Sequence, residues 1–311
     1  MHFNDPFTQD DIGRSNNIQE TAHMLADSAF EGVRAAHTFQ KFYLEPLLQG
    51  LINQNPREQA LMGLHYRIVT YLMSLRKLNG PIHFQAIAAS ARSLFELGLD
   101  IALFSHDTTN DSLDRLHAFT RVERYRVAKK TVDFFSNYSL PKNWVISPQQ
   151  SVCADPQEEA QVKALSLRYW QREPPKNWPK HWSRFQDIRS RAHHVDRLHN
   201  VQFPNWWQKR YILTYYMLSW HVHSGLTGVT NLRQETFEGF AFEAFQLSTD
   251  VVLESYKILG RELRLSTAMP EWDDRLSFLG RVIGLALVDK CLQALGDPMR
   301  FRYLEEHEQD D

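Results

Sequence analysis

The chain has 311 residues, of which 43% are hydrophobic and 23% are charged, and its formal net charge is -2. These values are typical of an ordinary globular protein. They argue against a surface that coats nucleic acid throughout, although a local basic patch stays open.

The absence of certain sequence features indicates the cellular compartment of the protein. Cys153 and Cys291 belong to no CxxC pattern, which argues against a thiolate metal site or a disulfide framework and fits a reducing cytoplasm. The first residues show no basic region followed by an apolar run, and no later segment reaches about 18 uncharged apolar residues. We therefore expect a cytoplasmic protein without membrane contact.

The first third of the chain predicts helices separated by strong breaks. Residues 1–16 are polar and are expected to be flexible. Apolar residues at helical spacing from 18 to 52 predict one long helix, or two with a bend near Pro46. A further helix is predicted over 58–78, and Asn79-Gly80-Pro81 ends it.

The middle of the chain alternates between helical and irregular patterns. Residues 82–104 are apolar on nearly all sides and predict a buried helix, and an amphipathic helix follows Asp111 to about residue 136. Three prolines without periodicity predict an irregular loop near 139–156. A helix is predicted over 156–172, followed by an ordered irregular segment near 172–183, where tryptophans are costly to leave in water.

The last third predicts four helices. A short polar helix over 183–199 precedes a strongly apolar one over 206–223, and amphipathic helices follow over 234–259 and 272–295. The acidic tail, residues 296–311, is expected to be solvated.

These elements predict the fold class. With no convincing strand and no repeat, we expect an all-α, multi-helix bundle of about eight or nine helices, forming a single domain over residues 17–295. The two strongly apolar helices, 82–104 and 206–223, should be central and should be neighbours in the core.

Polar residues inside these two apolar helices are the first candidate site, because buried charges need partners. A 3.6-residue period places Ile212, Tyr216, Ser219 and His223 on one stripe of the second helix. The candidate cluster combines polar residues of the second helix with charged residues of the first helix. Its members are Arg92 and Glu96 from the first helix and Tyr215, Tyr216, Ser219 and His223 from the second. As a catalytic site, Arg92 would stabilise negative charge, His223 or Glu96 would move a proton, and Tyr215 and Tyr216 would bind substrate. As architecture, the same residues would fix helix register.

The histidine-rich stretch Arg189–Asn200 is the second candidate site. A metal site there would use His194 and Asp196, but no pair of histidines at i, i+4 supports it, so no metal is expected. A nucleic-acid face would use arginines that contact phosphates: Arg184, Arg189, Arg191 and Arg197. The third interpretation is a solvated helix face.

Other catalytic signatures are absent from the sequence. No GxSxG elbow surrounds a serine, and neither cysteine has a local nucleophile pattern. No phosphate-binding glycine loop occurs, and only one of the two Glu-x-x-His elements of a di-iron bundle is present, at Glu20. We therefore expect no cofactor.

Three segments resemble a bacterial family of helical proteins known only as a domain of unknown function. They are ARSLFELGLD at 91–100, KHWSRFQDIRSRA at 180–192 and YILTYYMLSWHVHSG at 211–225. The positions that carry the resemblance are Arg92, Glu96, Trp182, Tyr211, Tyr215, Ser219 and His223. The resemblance spans roughly residues 60–260 and implies a helical fold without implying an activity.

That family is similar, more distantly, to the HEPN superfamily of helical bundles, many of which are metal-independent ribonucleases of toxin and phage-defence systems. Their signature is an arginine followed after four to six residues by a histidine, with two copies meeting across a dimer. Arg189 and His194 fit it on a predicted helix, although Ser190 replaces the polar Asn, Asp or His preferred after the arginine. The resemblance implies catalysis by this pair.

Two functions follow as expectations. The first is a HEPN-like, homodimeric effector that cleaves RNA, using either Arg189 with His194 or the cluster of Arg92, Glu96 and His223. Histidine would act as acid or base, and arginine would stabilise charge on phosphorus. The second is a non-catalytic helical module that binds a partner protein and whose buried polar residues are architectural.

Overall fold

The residues described by the computed structural model are mostly helical. No strand occurs among the described residues, so the predicted all-α class is confirmed. The structure describes residues 9–50, 55–80, 83–106, 111–137, 146–198, 205–222 and 234–295, without the side chains of 9–21, 137, 146–148, 221–222, 234–236 and 285–295.

Two π-helical turns interrupt the helices, at Gln40–Leu44 between α1 and α2 and at Tyr211–Tyr215 between α9 and α10. The α-helices are α1 (Gln9–Phe39), α2 (Glu45–Gln49), α3 (Pro56–Leu75), α4 (Phe84–His106), α5 (Asp111–Asn137), α6 (Ile146–Ala154), α7 (Pro156–Trp170), α8 (Ile188–Leu198), α9 (Trp206–Arg210), α10 (Tyr216–Val222), α11 (Gln234–Glu262), α12 (Leu265–Ala268) and α13 (Trp272–Leu295).

The chain divides into two compact units. Unit 1 comprises Met1–Ala102 and Asn205–Asp311, and unit 2 comprises Leu103–Pro204. The sequence indicated no boundary at either place. The first division falls inside α4, so a change of unit is not marked by a break in the helix.

The core of unit 1 is built on α1 and α11, with α13 packed against α1 and α3 packed against α11. Tyr256 of α11 lies at its centre, where its ring stacks on Phe39 at 5.5 Å between centroids. Phe39 also meets Trp272 edge-on, and the buried Tyr256 hydroxyl donates to the Ala36 carbonyl at 2.9 Å. Buried aromatic rings thus join three helices that are distant in sequence.

A π turn, Gln40–Leu44, interrupts the helix just before Pro46, near the place where the sequence allowed a bend. Proline lacks an N–H and crowds the preceding turn, so the helix cannot continue regularly through it. The turn places the buried Gln40 beside the buried His65, whose Nε2 lies 2.9 Å from Gln40 Oε1. Burial lowers the pKa of His65 to about 3, so this imidazole is neutral at pH 7.

Helix α4 packs against α9 and the π turn that follows, as predicted. The ring of Phe95 lies 5.5 Å from that of Trp207 and 5.3 Å from that of Tyr215. Gly98 permits this close approach, because a Cβ there would lie 2.5 Å from Val251 Cγ1 and 3.0 Å from Trp207 Cη2.

Unit 2 packs α5 against α6 and α7. Its apolar cluster contains Val122 and Tyr125 from α5 with Val162 and Trp170 from α7. Trp178, from the irregular segment between α7 and α8, packs against this cluster. The expectation that tryptophans anchor an ordered irregular segment therefore agrees with the contacts of Trp178.

The starts of α1 and α6 differ from the sequence prediction. Helix α6 occupies Ile146–Ala154, within the irregular loop expected near 139–156. Its proline, Pro148, lies in the first turn, where a missing N–H is tolerated, so the proline count misled the prediction. Helix α1 begins at Gln9, inside the stretch 1–16 expected to be flexible, and acidic residues in its first turn favour this start.

Several predictions fall on residues outside the described ones. These include residues 1–8, His223 and the acidic tail 296–311. Among the helices that the structure describes, none is long and apolar enough to cross a membrane.

Replacing Gly98 tests the packing of α4. We expect Gly98→Ala to destabilise the protein by about 1–3 kcal/mol, because the added methyl group overpacks Val251 and Trp207. Gly63→Ala is the control, since a Cβ at this exposed helical position meets nothing within 4 Å. Alanine should there stabilise the helix by up to about 1 kcal/mol. Urea unfolding measures both, and equal effects would contradict the proposed close approach.

Candidate functional site

The structure brings together three residues of the first predicted cluster. Arg92 and Glu96 lie one turn apart on α4, and Tyr215 reaches both from the π turn. Arg92 Nη2 donates to the Tyr215 hydroxyl at 3.2 Å, and that hydroxyl donates to Glu96 Oε1 at 2.7 Å. The guanidinium also lies 5.1 Å from the centre of the Tyr215 ring. The three side chains form one hydrogen-bonded chain, the Arg92–Tyr215–Glu96 network.

The network is better suited to holding helices than to moving protons. Burial raises the pKa of Tyr215 to about 12, with Glu96 adding to the rise and Arg92 opposing it, so the phenol keeps its proton at neutral pH. Its hydroxyl accepts from one side chain and donates to the other, which uses its hydrogen-bonding capacity. These contacts fit the architectural interpretation of the cluster.

The other predicted members of this cluster do not join the network among the described residues. Ser219 Oγ donates to the Tyr215 carbonyl of its own helix at 2.8 Å, and Tyr216 is half exposed and meets Trp220 edge-on. His223 lies outside the described residues. The π turn Tyr211–Tyr215 adds a residue to one turn of this helix.

One side of this helix is both apolar and exposed. Ile212 and Leu213 are 60% and 69% exposed, and Tyr216 and Trp220 are 50% and 54% exposed. The expectation that the helix is buried on nearly all sides is therefore wrong for this face. We call these four residues the α9–α10 face.

The second predicted site does not form as expected. Arg189 is exposed, and His194 is half-buried with its ring 4.2 Å from that of Phe185. Five residues along an α-helix turn through about 140°, so the two side chains leave α8 in different directions. Arg191 is buried and its Nη1 lies 2.8 Å from His181 Nε2, which places it outside any open site.

Helix α8 begins at Ile188, five residues later than predicted. Asp187 caps it by accepting from the Ser190 backbone N–H at 2.8 Å, and this contact also lowers the pKa of Asp187. The residues before it, Lys180–Gln186, form a hydrogen-bonded turn instead. Gln186 Nε2 donates to the Ser183 carbonyl at 2.8 Å, and Gln186 Oε1 accepts from Lys180 N–H at 2.7 Å.

Two buried contacts hold this turn. Trp170 Nε1 donates to the carbonyls of Trp182 and Ser183, at 3.2 and 3.1 Å. Because arginine can only donate, His181 Nε2 accepts from Arg191 Nη1 at 2.8 Å, and His181 Nδ1 faces Ser183, with the hydroxyl Oγ at 2.8 Å and the backbone N at 3.1 Å. The turn presents the next residue, Arg184, with its side chain 71% exposed.

An open cleft lies beside Arg184 within unit 2. Its two halves share Asp111, Arg115 and Arg184. One half, of about 270 Å³, is also lined by His106 and His194, and we call it the histidine half. The other half, of about 460 Å³, is also lined by Arg168, Tyr169 and Gln171, and we call it the arginine half.

The cleft is electropositive. Asp111 is the only carboxylate among the described residues that line it, and its Oδ2 pairs with Arg115 and with Arg184, the latter at 3.3 Å. Three arginines against one aspartate leave a net charge of +2. Burial lowers the pKa of His194, helped by the nearby charges of Arg197 and His193, so this imidazole is neutral at pH 7.

Sequence reasoning identified only part of this cleft. Arg184 and His194 were candidates, whereas His106, Arg115 and Arg168 were not. These three lie on α4, α5 and α7, and no local motif marks them. Searching the described residues for three or more metal-ligating side chains finds no group that could hold a metal ion.

Removing one hydroxyl tests the Arg92–Tyr215–Glu96 network. We expect Tyr215→Phe to lower the free energy of unfolding by about 1–3 kcal/mol, because two hydrogen bonds to charged groups are lost. The neighbouring Tyr216→Phe, at a half-exposed position, should change it by less than about 0.5 kcal/mol. Urea unfolding of both variants makes the comparison, and equal stabilities would mean that the network contributes nothing.

Comparison of the chain with known proteins assigns it to no family. No family model, no curated protein and no solved structure matches it.

Proposed function

We propose that the protein is a metal-independent ribonuclease that cleaves RNA in the cleft of unit 2. One observation carries the proposal: His106, His194, Arg115 and Arg184 line a single open cleft. Two imidazoles can supply acid and base, and two guanidinium groups can neutralise a phosphate. The only described carboxylate there, Asp111, is already paired with both arginines.

The neutral His194 acts as the base in this proposal. It takes the proton of a ribose 2′-hydroxyl, whose oxygen attacks the adjacent phosphorus. Arg115 and Arg184 stabilise the charge that develops on the phosphoryl oxygens. His106, in its protonated form, gives a proton to the departing 5′-oxygen. The products are a 2′,3′-cyclic phosphate and a 5′-hydroxyl, so protons and bonds balance without a metal ion.

The proposal keeps the type of chemistry that the HEPN resemblance implies but changes the residues. His194 is retained, and Arg115 and Arg184 replace the exposed Arg189 as the charge-stabilising groups. The cleft is lined by residues of one chain, so catalysis does not require the two copies of the HEPN arrangement. The family resemblance, the role in phage defence and the cytoplasmic location stay predictions.

Cleavage of labelled RNA by the purified protein in the presence of EDTA tests the proposal. We expect His194→Gln and Arg184→Gln each to lower the rate by about 100-fold or more, the usual contribution of an acid–base or charge-stabilising group. Arg124→Gln is the control, because Arg124 is exposed on α5 and does not line the cleft. Replacing every 2′-hydroxyl with 2′-O-methyl should abolish cleavage.

The low-pH side of the pH–rate profile has a defined sign, whereas the need for a protonated acid makes the rate fall again at higher pH. The base must be neutral, and the pKa of His194 is lowered from 6.5, so the rate should rise with pH through a value below 6.5. Full activity of His194→Gln would exclude the proposed base. Loss of activity in Arg189→Ala with full activity in Arg184→Gln would return the chemistry to the original Arg189–His194 pair.

The α9–α10 face favours a second candidate, a helical interaction module. Four large apolar side chains on one helix are costly to leave in water, and such faces commonly mark contacts between proteins. The closed Arg92–Tyr215–Glu96 network fits this function as architecture beneath the face. In the homodimer that we expect, a second copy of the chain is the partner that covers the α9–α10 face.

Sedimentation velocity tests this second candidate. We expect the wild type to dimerise, and Leu213→Glu with Trp220→Glu to be monomeric, because burying two carboxylates in an apolar contact is unfavourable. Val127→Glu is the control, since Val127 is 53% exposed on α5 and lies outside the face. A monomeric wild type at tens of micromolar, or a double variant that still dimerises, would contradict the module.

A further inference from the structure

The two halves of the cleft differ in their chemistry. The histidine half offers two imidazoles, whereas the arginine half is lined by no imidazole among the described residues. Most of the wall of the arginine half is polar, and its volume of about 460 Å³ falls in the range of ligand pockets. The arginine half is therefore equipped to bind a ligand but lacks the acid and base proposed for cleavage.

The charge of the arginine half matches a terminal phosphate. Arg115, Arg168 and Arg184 face one aspartate, which leaves +2. A phosphate monoester carries about -1.5 to -2 at pH 7, whereas a phosphodiester inside a strand carries one negative charge. Guanidinium groups also bind phosphate through paired hydrogen bonds, which lysine cannot do. The net charge of +2 is thus balanced better by the terminal phosphate of a nucleic-acid strand than by an internal phosphodiester.

Arg168 is the cation available for this ligand. It is exposed in the last turn of α7, and no carboxylate pairs with it among the described residues. A cation at a helix C-terminus is favourable by itself, which would account for Arg168 alone. It does not account for the convergence of Arg115 from α5 and Arg184 from the Lys180–Gln186 turn on the same half of the cleft.

Arg115 and Arg184, which line the same half of the cleft as Arg168, are held in place by other contacts. Arg115 is buried and paired with Asp111, and the same carboxylate oxygen holds Arg184. The turn that carries Arg184 is fixed by the indole of Trp170 and by Gln186. A ligand phosphate would therefore enter a preformed group of donors, which lowers the entropic cost of binding.

We infer that the arginine half binds the 5′-monophosphate of an RNA strand and that an adjacent phosphodiester then lies in the histidine half. The RNA part of this inference rests on the proposed function, whereas binding of a phosphate monoester does not. The shared residues Arg115 and Arg184 make the two halves continuous. The protein then binds RNA strands with a 5′-phosphate more tightly than strands with a 5′-hydroxyl.

Fluorescence anisotropy with a short RNA that cannot be cleaved tests the inference. The ligand is a hexamer, fully 2′-O-methylated and labelled at its 3′ end, with either a 5′-phosphate or a 5′-hydroxyl. We expect the wild type to bind the phosphorylated form about tenfold more tightly or better, as the loss of charged hydrogen bonds predicts. Arg168→Gln should reduce this preference to within about twofold, and Arg124→Gln should retain it.

The outcomes separate this inference from the proposed function. Equal affinity of the wild type for the two ligands, or no binding of either, would overturn the inference. An unchanged preference in Arg168→Gln would also overturn it. If inorganic phosphate competes as well as the phosphorylated hexamer at the same concentration, the ligand is free phosphate and the RNA-end inference fails. Phosphate preference without cleavage of unmodified RNA would support the inference while contradicting the proposed ribonuclease.

Discussion

The buried indole N–H of Trp170 is the contact on which the cleft depends. It donates to the carbonyls of Trp182 and Ser183, which belong to a segment without helical hydrogen bonds. Buried backbone carbonyls in such a segment need partners, and a partner from α7 fixes the segment to the core of unit 2. The turn that follows then presents Arg184 outward. The position of Arg184 in the proposed active site therefore depends on the N–H of Trp170 and on the turn that this donor holds.

Three arginines show how surroundings decide the role of one residue type. Arg191 is buried against the imidazole of His181, and Arg92 donates into a closed chain that ends at Glu96. Both side chains therefore have their contacts inside the protein. Arg184 has a single described carboxylate partner, which it shares with Arg115, and its side chain is largely exposed. Of these three arginines, only Arg184 is therefore placed to donate hydrogen bonds to a ligand.

Much of the fold was predictable because helical periodicity and chain breaks are local properties. Asn55 and Asp155 cap α3 and α7, each directly before a proline. The pairing of Arg92 and Glu96 with Tyr215 was also predictable, since charges in an apolar helix require a partner. The exposure of Ile212 and Tyr216 was not predictable, because a helix that is apolar on nearly all sides predicts burial and does not indicate which side stays uncovered. The cleft was only partly predictable, since Arg184 and His194 lie near each other in sequence whereas Arg115 and Arg168 do not.

The sequence by itself determined that the protein is helical, where most helices begin and end, and which polar residues must find partners inside apolar helices. These properties depend on residues within a few turns of one another. Only the tertiary structure decided that Arg115, Arg168 and Arg184 line the same half of the cleft as Asp111. The physical reason is that α5, α7 and the irregular segment are brought together by buried contacts such as those of Trp170. Those contacts join residues that no periodic pattern relates.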